Sequence, residues 1–255
     1  MPEGMKGGLM PAEHLIVSLD LTDFEKIKEI VVQLKGAVNF YKVGAVPFTY
    51  FGLELIDFLK EQNCRIMLDL KYHDIPNTVA RACEGAAERG ADFITIHTSG
   101  GFSMLEEAVK ATLMISELKK INRPKLLGIT VLTSIDEAYF KDLFGDLKRT
   151  LTEQVVFLAQ LARSAGLDGV VASPKEIEPI RKECGEDLLI VTPGIRPEFQ
   201  TVKADDQARV TTPRQAIQRG ADYIVIGRPI VKAADPREAV EKIIKEIGDG
   251  DRKTA

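Results

Sequence analysis

Eight short apolar, β-branched runs recur along this chain, and their number constrains its fold more than any other feature. They read LIVSLDL (15–21), FYKVG (40–44), RIMLDLK (65–71), DFITIHTS (92–99), KLLGITVLT (125–133), DGVVAS (168–173), LLIVTPG (188–194) and YIVIGRPI (223–230). Each is apolar nearly throughout instead of alternating, as in a strand buried on both faces. Helical patterns fall between them. Thr22 or Asp23 can cap a helix whose apolar positions Phe24, Ile27, Ile30, Val31 and Leu34 follow i, i+3, i+4 spacing. Phe51, Leu55, Phe58 and Leu59 repeat that pattern, and Pro76 opens a further helix. Others are expected over 102–120, 150–165, 174–183, 213–219 and 236–247, with Gly166 and Gly220 as stops.

Alternation of strand and helix predicts a parallel sheet, and eight units close a barrel. The rival is an open doubly wound sheet, but its usual Gly-rich first turn is missing from SLDLTD (18–23). RGADFITIH (89–97) is echoed by RGADYIVIG (219–227), across the fourth and eighth runs. The echo fits a barrel of two similar halves, or equally a common helix-to-strand turn. The expected architecture is a single (β/α)8 TIM barrel over 15–248, with tails at 1–14 and 249–255.

Composition narrows the partners. The 34 Lys and Arg against 38 Asp and Glu leave a formal charge of −4, which argues against nucleic acid held by a general basic field. A small phosphorylated ligand needs only a few well-placed donors and stays open. Cys64, Cys83 and Cys184 lie far apart and suggest neither a zinc site nor a disulfide framework. The first 14 residues hold no apolar leader, and no stretch approaches the roughly 20 apolar residues of a membrane span. A cytoplasmic protein without nucleic-acid or membrane partners is expected.

Chemistry in such barrels gathers at the C-terminal strand ends. Here those ends carry Asp20, Lys42, Asp69 with Lys71, His97 with Thr98, Thr133, Ser173, Pro193 with Gly194, and Gly227 with Arg228. Charges closing apolar strands are costly unless paired or wet, so three successive runs ending in Asp20, Lys42 and Asp69/Lys71 stand out. Asp69 and Lys71 are two apart and share one side of a strand, with Asp74 following in the loop. A lysine among carboxylates is held as the cation, which suits a proton donor or anchor better than a Schiff-base nucleophile. The bland reading is a rim salt-bridge network; the barrel-end position beside Lys42 favours catalysis. Mg²⁺ at Asp20, Asp69 and Asp74 stays open, although Lys42 and Lys71 already neutralise those charges. With His14, His73 and His97 as the only histidines, a His-rich zinc site is not expected, and His97 reads as structural. A second constellation is TPGIR (192–196) with GRP (227–229), in the two loops that often bind phosphate in this fold. Gly227 allows close backbone approach to an anion, and Arg228 can grip one with two parallel hydrogen bonds.

The run DLKYHDIPNTV (69–79), with YKVG (41–44), VLTS (131–134), VTPGIRP (191–197) and VIGRPI (225–230), resembles bacterial-type orotidine 5′-phosphate decarboxylase. The match runs in order from about 15 to 245. It implies cofactor-free, metal-free conversion of orotidine 5′-monophosphate to UMP. Carried over, Lys71 donates the proton to C6 and Asp69 faces the substrate carboxylate, while Lys42 and Asp20 contact the ribose side. Asp74, Ile75 and Thr78 are implied substrate contacts. Asp74 and Thr78 reach the neighbouring site, so a homodimer is implied. Thr133, or Ser134 one residue on, matches the pyrimidine contact and Pro193 a position near the base. Arg196, Gln207, Gly227 and Arg228 match the phosphate grip. The chain departs from the family pattern at PEFQTVKADD (197–206), which is longer than expected and lacks the usual glycines. Nothing resembles a fused phosphoribosyltransferase domain. Two other readings stand beside this one: a Mg²⁺-dependent sugar-phosphate decarboxylase or synthase on the same barrel, and a non-catalytic nucleotide-binding barrel.

Overall fold

In the computed structural model, which describes residues 9–145, 148–200 and 211–248, all eight apolar runs contribute strands to one closed parallel barrel in sequence order. The strands are β1 (Leu15–Ser18), β2 (Phe40–Gly44), β3 (Arg65–Tyr72), β4 (Phe93–His97), β5 (Lys125–Ile129), β6 (Gly169–Val171), β7 (Leu189–Thr192) and β8 (Tyr223–Ile226). The outer layer comprises α1 (Phe24–Gln33), α2 (Ala45–Glu61), α3 (Pro76–Glu88), α4 (Phe102–Lys119) and α5 (Glu137–Phe144). It continues through α6 (Leu151–Ser164), α7 (Ile177–Cys184), α8 (Pro213–Gln218), α9 (Arg228–Val231) and α10 (Pro236–Gly248).

Most strands stop short of their apolar runs. β5 ends at Ile129, four residues before Thr133, and the eighth run divides into β8 and the one-turn helix α9. Pro229 lies in the first turn of α9, where its lost N–H costs little. The second helix begins earlier than its pattern, at Ala45, and breaks at Gly52, whose φ of 55° and ψ of −133° are not helical. Helix α5 has no counterpart in the expected pattern.

Side chains alternate in and out along each strand, and this builds the barrel interior in layers. The lower layer includes Ile16, Phe40, Met67 and Phe93, packed with Leu127, Val191, Tyr223 and Val225. Phe40, Phe93 and Tyr223 meet edge to face, with ring centroids 4.9 to 6.0 Å apart. Two residues further along the first four strands the same inward direction is taken by Ser18, Lys42, Asp69 and Thr95, all buried. One strand repeat thus converts an aromatic floor into a polar layer.

The Gly-Ala-Asp echo has a mechanical explanation. Asp92 accepts a hydrogen bond from the Ile66 N–H at 2.8 Å and Asp222 from the Ile190 N–H at 2.7 Å. Asp168, outside the echo, accepts from the Leu126 N–H at 2.8 Å. Each carboxylate precedes an even-numbered strand and satisfies a donor at the start of the preceding strand. Recurrence at three even strands makes the motif a turn device, so it needs no two-halves explanation.

Candidate active site

The polar layer is a continuous ionic chain. Ser18 Oγ donates to Asp20 Oδ2 at 2.6 Å. Lys42 Nζ lies 3.1 Å and 3.2 Å from the two Asp20 oxygens and 3.4 Å from Asp69 Oδ2. The other Asp69 oxygen is 2.9 Å from Lys71 Nζ. Burial grades along this chain: the side chains of Lys42 and Asp69 are 11% and 10% exposed, Lys71 37% and Asp20 51%. The enclosed middle members are therefore paired, as buried charges must be, while the end members face the open mouth.

The strand between Asp69 and Lys71 is not regular. Between Leu68 and Tyr72 the register against β4 shifts, so that four steps along β3 match two along β4. Lys71 sits in this bulge with φ +52°, a left-handed conformation that costs a side-chain-bearing residue of the order of 1–3 kcal/mol. Thr95 compensates: its hydroxyl accepts from the Lys71 N–H at 3.0 Å and donates to Asp69 Oδ1 at 3.1 Å. One buried hydroxyl fixes both the strained backbone and the carboxylate. Thr95 and Ser18 were absent from the expected site residues. Their signal was a hydroxyl at an inward position two residues beyond an apolar one.

His97 ends β4, with its ring 5.2 Å from that of His73 at 31° and Ser99 Oγ 3.4 Å from its Nδ1. Burial holds its pKa below the ordinary 6.5, and the nearby His73 and Lys71 push the same way. The pair borders the lysine without joining the ionic chain.

Asp74, Ile75 and Thr78 stand apart from the array. All three are exposed, Ile75 by 66%, and Asp74 Oδ1 accepts from the Ile75 N–H at 2.6 Å. Among the described residues no ion pair joins Asp74 to Lys71, so the D-x-K-x-x-D string does not close on itself within one chain. Thr133 and Ser134 are exposed on a cavity of about 500 Å³, shared with Ser173 and Lys175.

On the other flank of β1, β8 pairs with that strand, which brings Gly227 against the polar layer. A Cβ on Gly227 would lie 3.1 Å from Ser18 Cβ, closer than ordinary packing allows. Arg228 begins α9 and is exposed. Partly exposed Pro193 follows β7, and Arg196 donates from Nη1 to the Ile195 carbonyl at 3.2 Å. Gln207 lies outside the described residues. Among the described residues no three His, Cys, Asp or Glu side chains converge on a common metal position, and no helix is long and apolar enough to cross a membrane.

With this geometry in place, residues 13–243 match the sequence profile of the orotidine 5′-phosphate decarboxylase / HUMPS family. The chain belongs to that family. It is similar to the orotidine 5′-phosphate decarboxylase of Syntrophus aciditrophicus, at 44% identity over 93% of this chain and 94% of the relative. The protein of that name from Trichlorobacter lovleyi is 45% identical, over 92% and 95%. Among solved structures, orotidine 5′-phosphate decarboxylase from Lactobacillus acidophilus superposes with a TM-score of 0.79 at 38% identity, covering 91% of this chain and 98% of that one. The matches to these decarboxylases cover nearly the whole of each chain. With them, this chain is a member of an enzyme family.

Proposed function

We propose that this protein decarboxylates orotidine 5′-monophosphate to UMP and CO₂, the step that yields UMP in pyrimidine biosynthesis, with Lys71 as the proton donor and without metal or cofactor. The observation that carries this reading is the alternating array Asp20–Lys42–Asp69–Lys71, with its least buried ammonium at the mouth.

Breaking the bond between C6 and the carboxylate releases CO₂ and leaves an electron pair on C6 with no conjugated sink. A fixed ammonium stabilises that charge without reorganising and then delivers its proton to C6. Lys71 becomes a neutral amine and regains a proton from solvent. Asp69 holds the ammonium at 2.9 Å and sets a negative charge beside the departing carboxylate. Lys42 and Asp20 serve the ribose, Thr133 or Ser134 the base with Pro193, and Arg196, Gln207, Gly227 and Arg228 the phosphate. The two lysines satisfy the carboxylates that a Mg²⁺ ion would otherwise neutralise, which supports a metal-free site over the sugar-phosphate reading. Exposure of Asp74, Ile75 and Thr78 on a single chain supports their meeting substrate in a homodimer, with Asp74 and Thr78 reaching the partner subunit's site.

The test is the ultraviolet absorbance of orotidine 5′-monophosphate mixed with the protein in excess EDTA. Rapid loss of the orotate band is expected. A rate restored only by added Mg²⁺ would overturn the metal-free reading, and no turnover of this nucleotide under either condition would overturn the decarboxylase reading in favour of the sugar-phosphate enzyme or the binding barrel.

A further inference from the structure

Gly44 ends β2 in register with Asp69, and its backbone does not explain why it is glycine. Its φ of −90° and ψ of −176° are extended values open to any residue. Its inward direction does. Two residues beyond Lys42, a Cβ at Gly44 would lie 2.7 Å from Asp20 Oδ1 and 2.8 Å from Lys42 Nζ. Those are the two atoms of the first ion pair in the array, 3.1 Å apart.

We propose that Gly44 is a positioning residue, kept without a side chain so that the ends of Asp20 and Lys42 can meet in the space a methyl group would fill. This rests on the reading that the pair serves the substrate. Both clashing atoms terminate flexible side chains, so the fold absorbs a methyl group cheaply while the pair does not. Gly169 is the opposite case: there a Cβ would lie 2.6 Å from the Leu189 carbonyl oxygen, and fixed backbone has to move. A glycine kept for folding and a glycine kept for the site are thereby separable.

The experiment is Gly44→Ala in the full chain, compared with Asp20→Ala and the double variant. Thermal unfolding of Gly44→Ala is expected close to wild type, unlike Gly169→Ala, which should melt lower. Its kcat/KM on orotidine 5′-monophosphate should fall about tenfold or more, and the double variant should lose less than the product of the single losses. A crystal structure of Gly44→Ala should have the Asp20 carboxylate and Lys42 ammonium parted beyond about 4 Å. Unchanged kcat/KM, independent losses, or an intact pair in the variant would each overturn the assignment. An inactive wild type refutes the functional reading instead, and the crystal structure still decides whether Gly44 holds the pair.

Discussion

Asp69 and Lys71 meet at 2.9 Å across a bulge in the strand that carries both. The lysine takes a left-handed backbone there, so the strand spends conformational energy at the residue proposed as the proton donor. Two substitutions separate backbone from side chain. Both Lys71→Gly and Lys71→Ala remove the ammonium, but only glycine tolerates φ +52° without strain. Lys71→Gly should therefore be about 1 kcal/mol more stable than Lys71→Ala in urea unfolding. Equal stabilities would mean the backbone at this position is relaxed.

Thr95 holds the bulge and the carboxylate together. Thr95→Val keeps the shape and removes the hydroxyl, leaving the Lys71 N–H and one Asp69 oxygen without that partner. We expect kcat to fall about tenfold with KM little changed, and stability to drop by about 1 kcal/mol. A KM effect at constant kcat would move Thr95 from aligning the lysine to holding the substrate.

His97 offers a pH signature. Burial, then His73 and Lys71, lower its proton affinity in the folded chain, so the unfolded chain binds that proton more tightly. Its contribution to stability is full above about pH 6.5 and is lost as pH falls through the lowered folded value. By NMR the imidazole should titrate with a midpoint below 6.5. Lys71→Ala should raise that midpoint only in part, because burial is the larger cause. A wild-type midpoint at or above 6.5 contradicts this.

Arg228, exposed at the start of α9 and next to Gly227, where a side chain would crowd Ser18, is assigned to the phosphate under the proposed function. Arg228→Ala should raise KM for the nucleotide at least about tenfold and leave kcat/KM on the unphosphorylated nucleoside unchanged. Equal losses on both substrates would remove Arg228 from that role.

Much of this was legible in the sequence because a barrel strand buried on both faces is apolar along its length, and eight such runs leave few topologies. The charged ends Asp20, Lys42, Asp69 and Lys71 stood out against that background, and the structure joins all four. Asp74 was legible as a charge but not by direction, since the loop after the bulge carries it outward. Helix α5 (EAYFKDLF) escaped because it is only eight residues long and is an extra helix in the connection between β5 and α6, outside the alternation of one helix per strand. The bulge was illegible: a register shift arises from pairing with β4, and Lys71 is not a residue type that signals positive φ. Gly44 needed coordinates, because its reason lies in two side chains from other positions.

The most direct measurement of the central claim is the rate at which orotidine 5′-monophosphate loses its orotate absorbance with wild type and with Lys71→Ala. The proton-donor assignment predicts rapid loss with wild type and a rate lower by about a thousandfold or more in the variant, with the fold retained by circular dichroism. Comparable rates from the two proteins would contradict it.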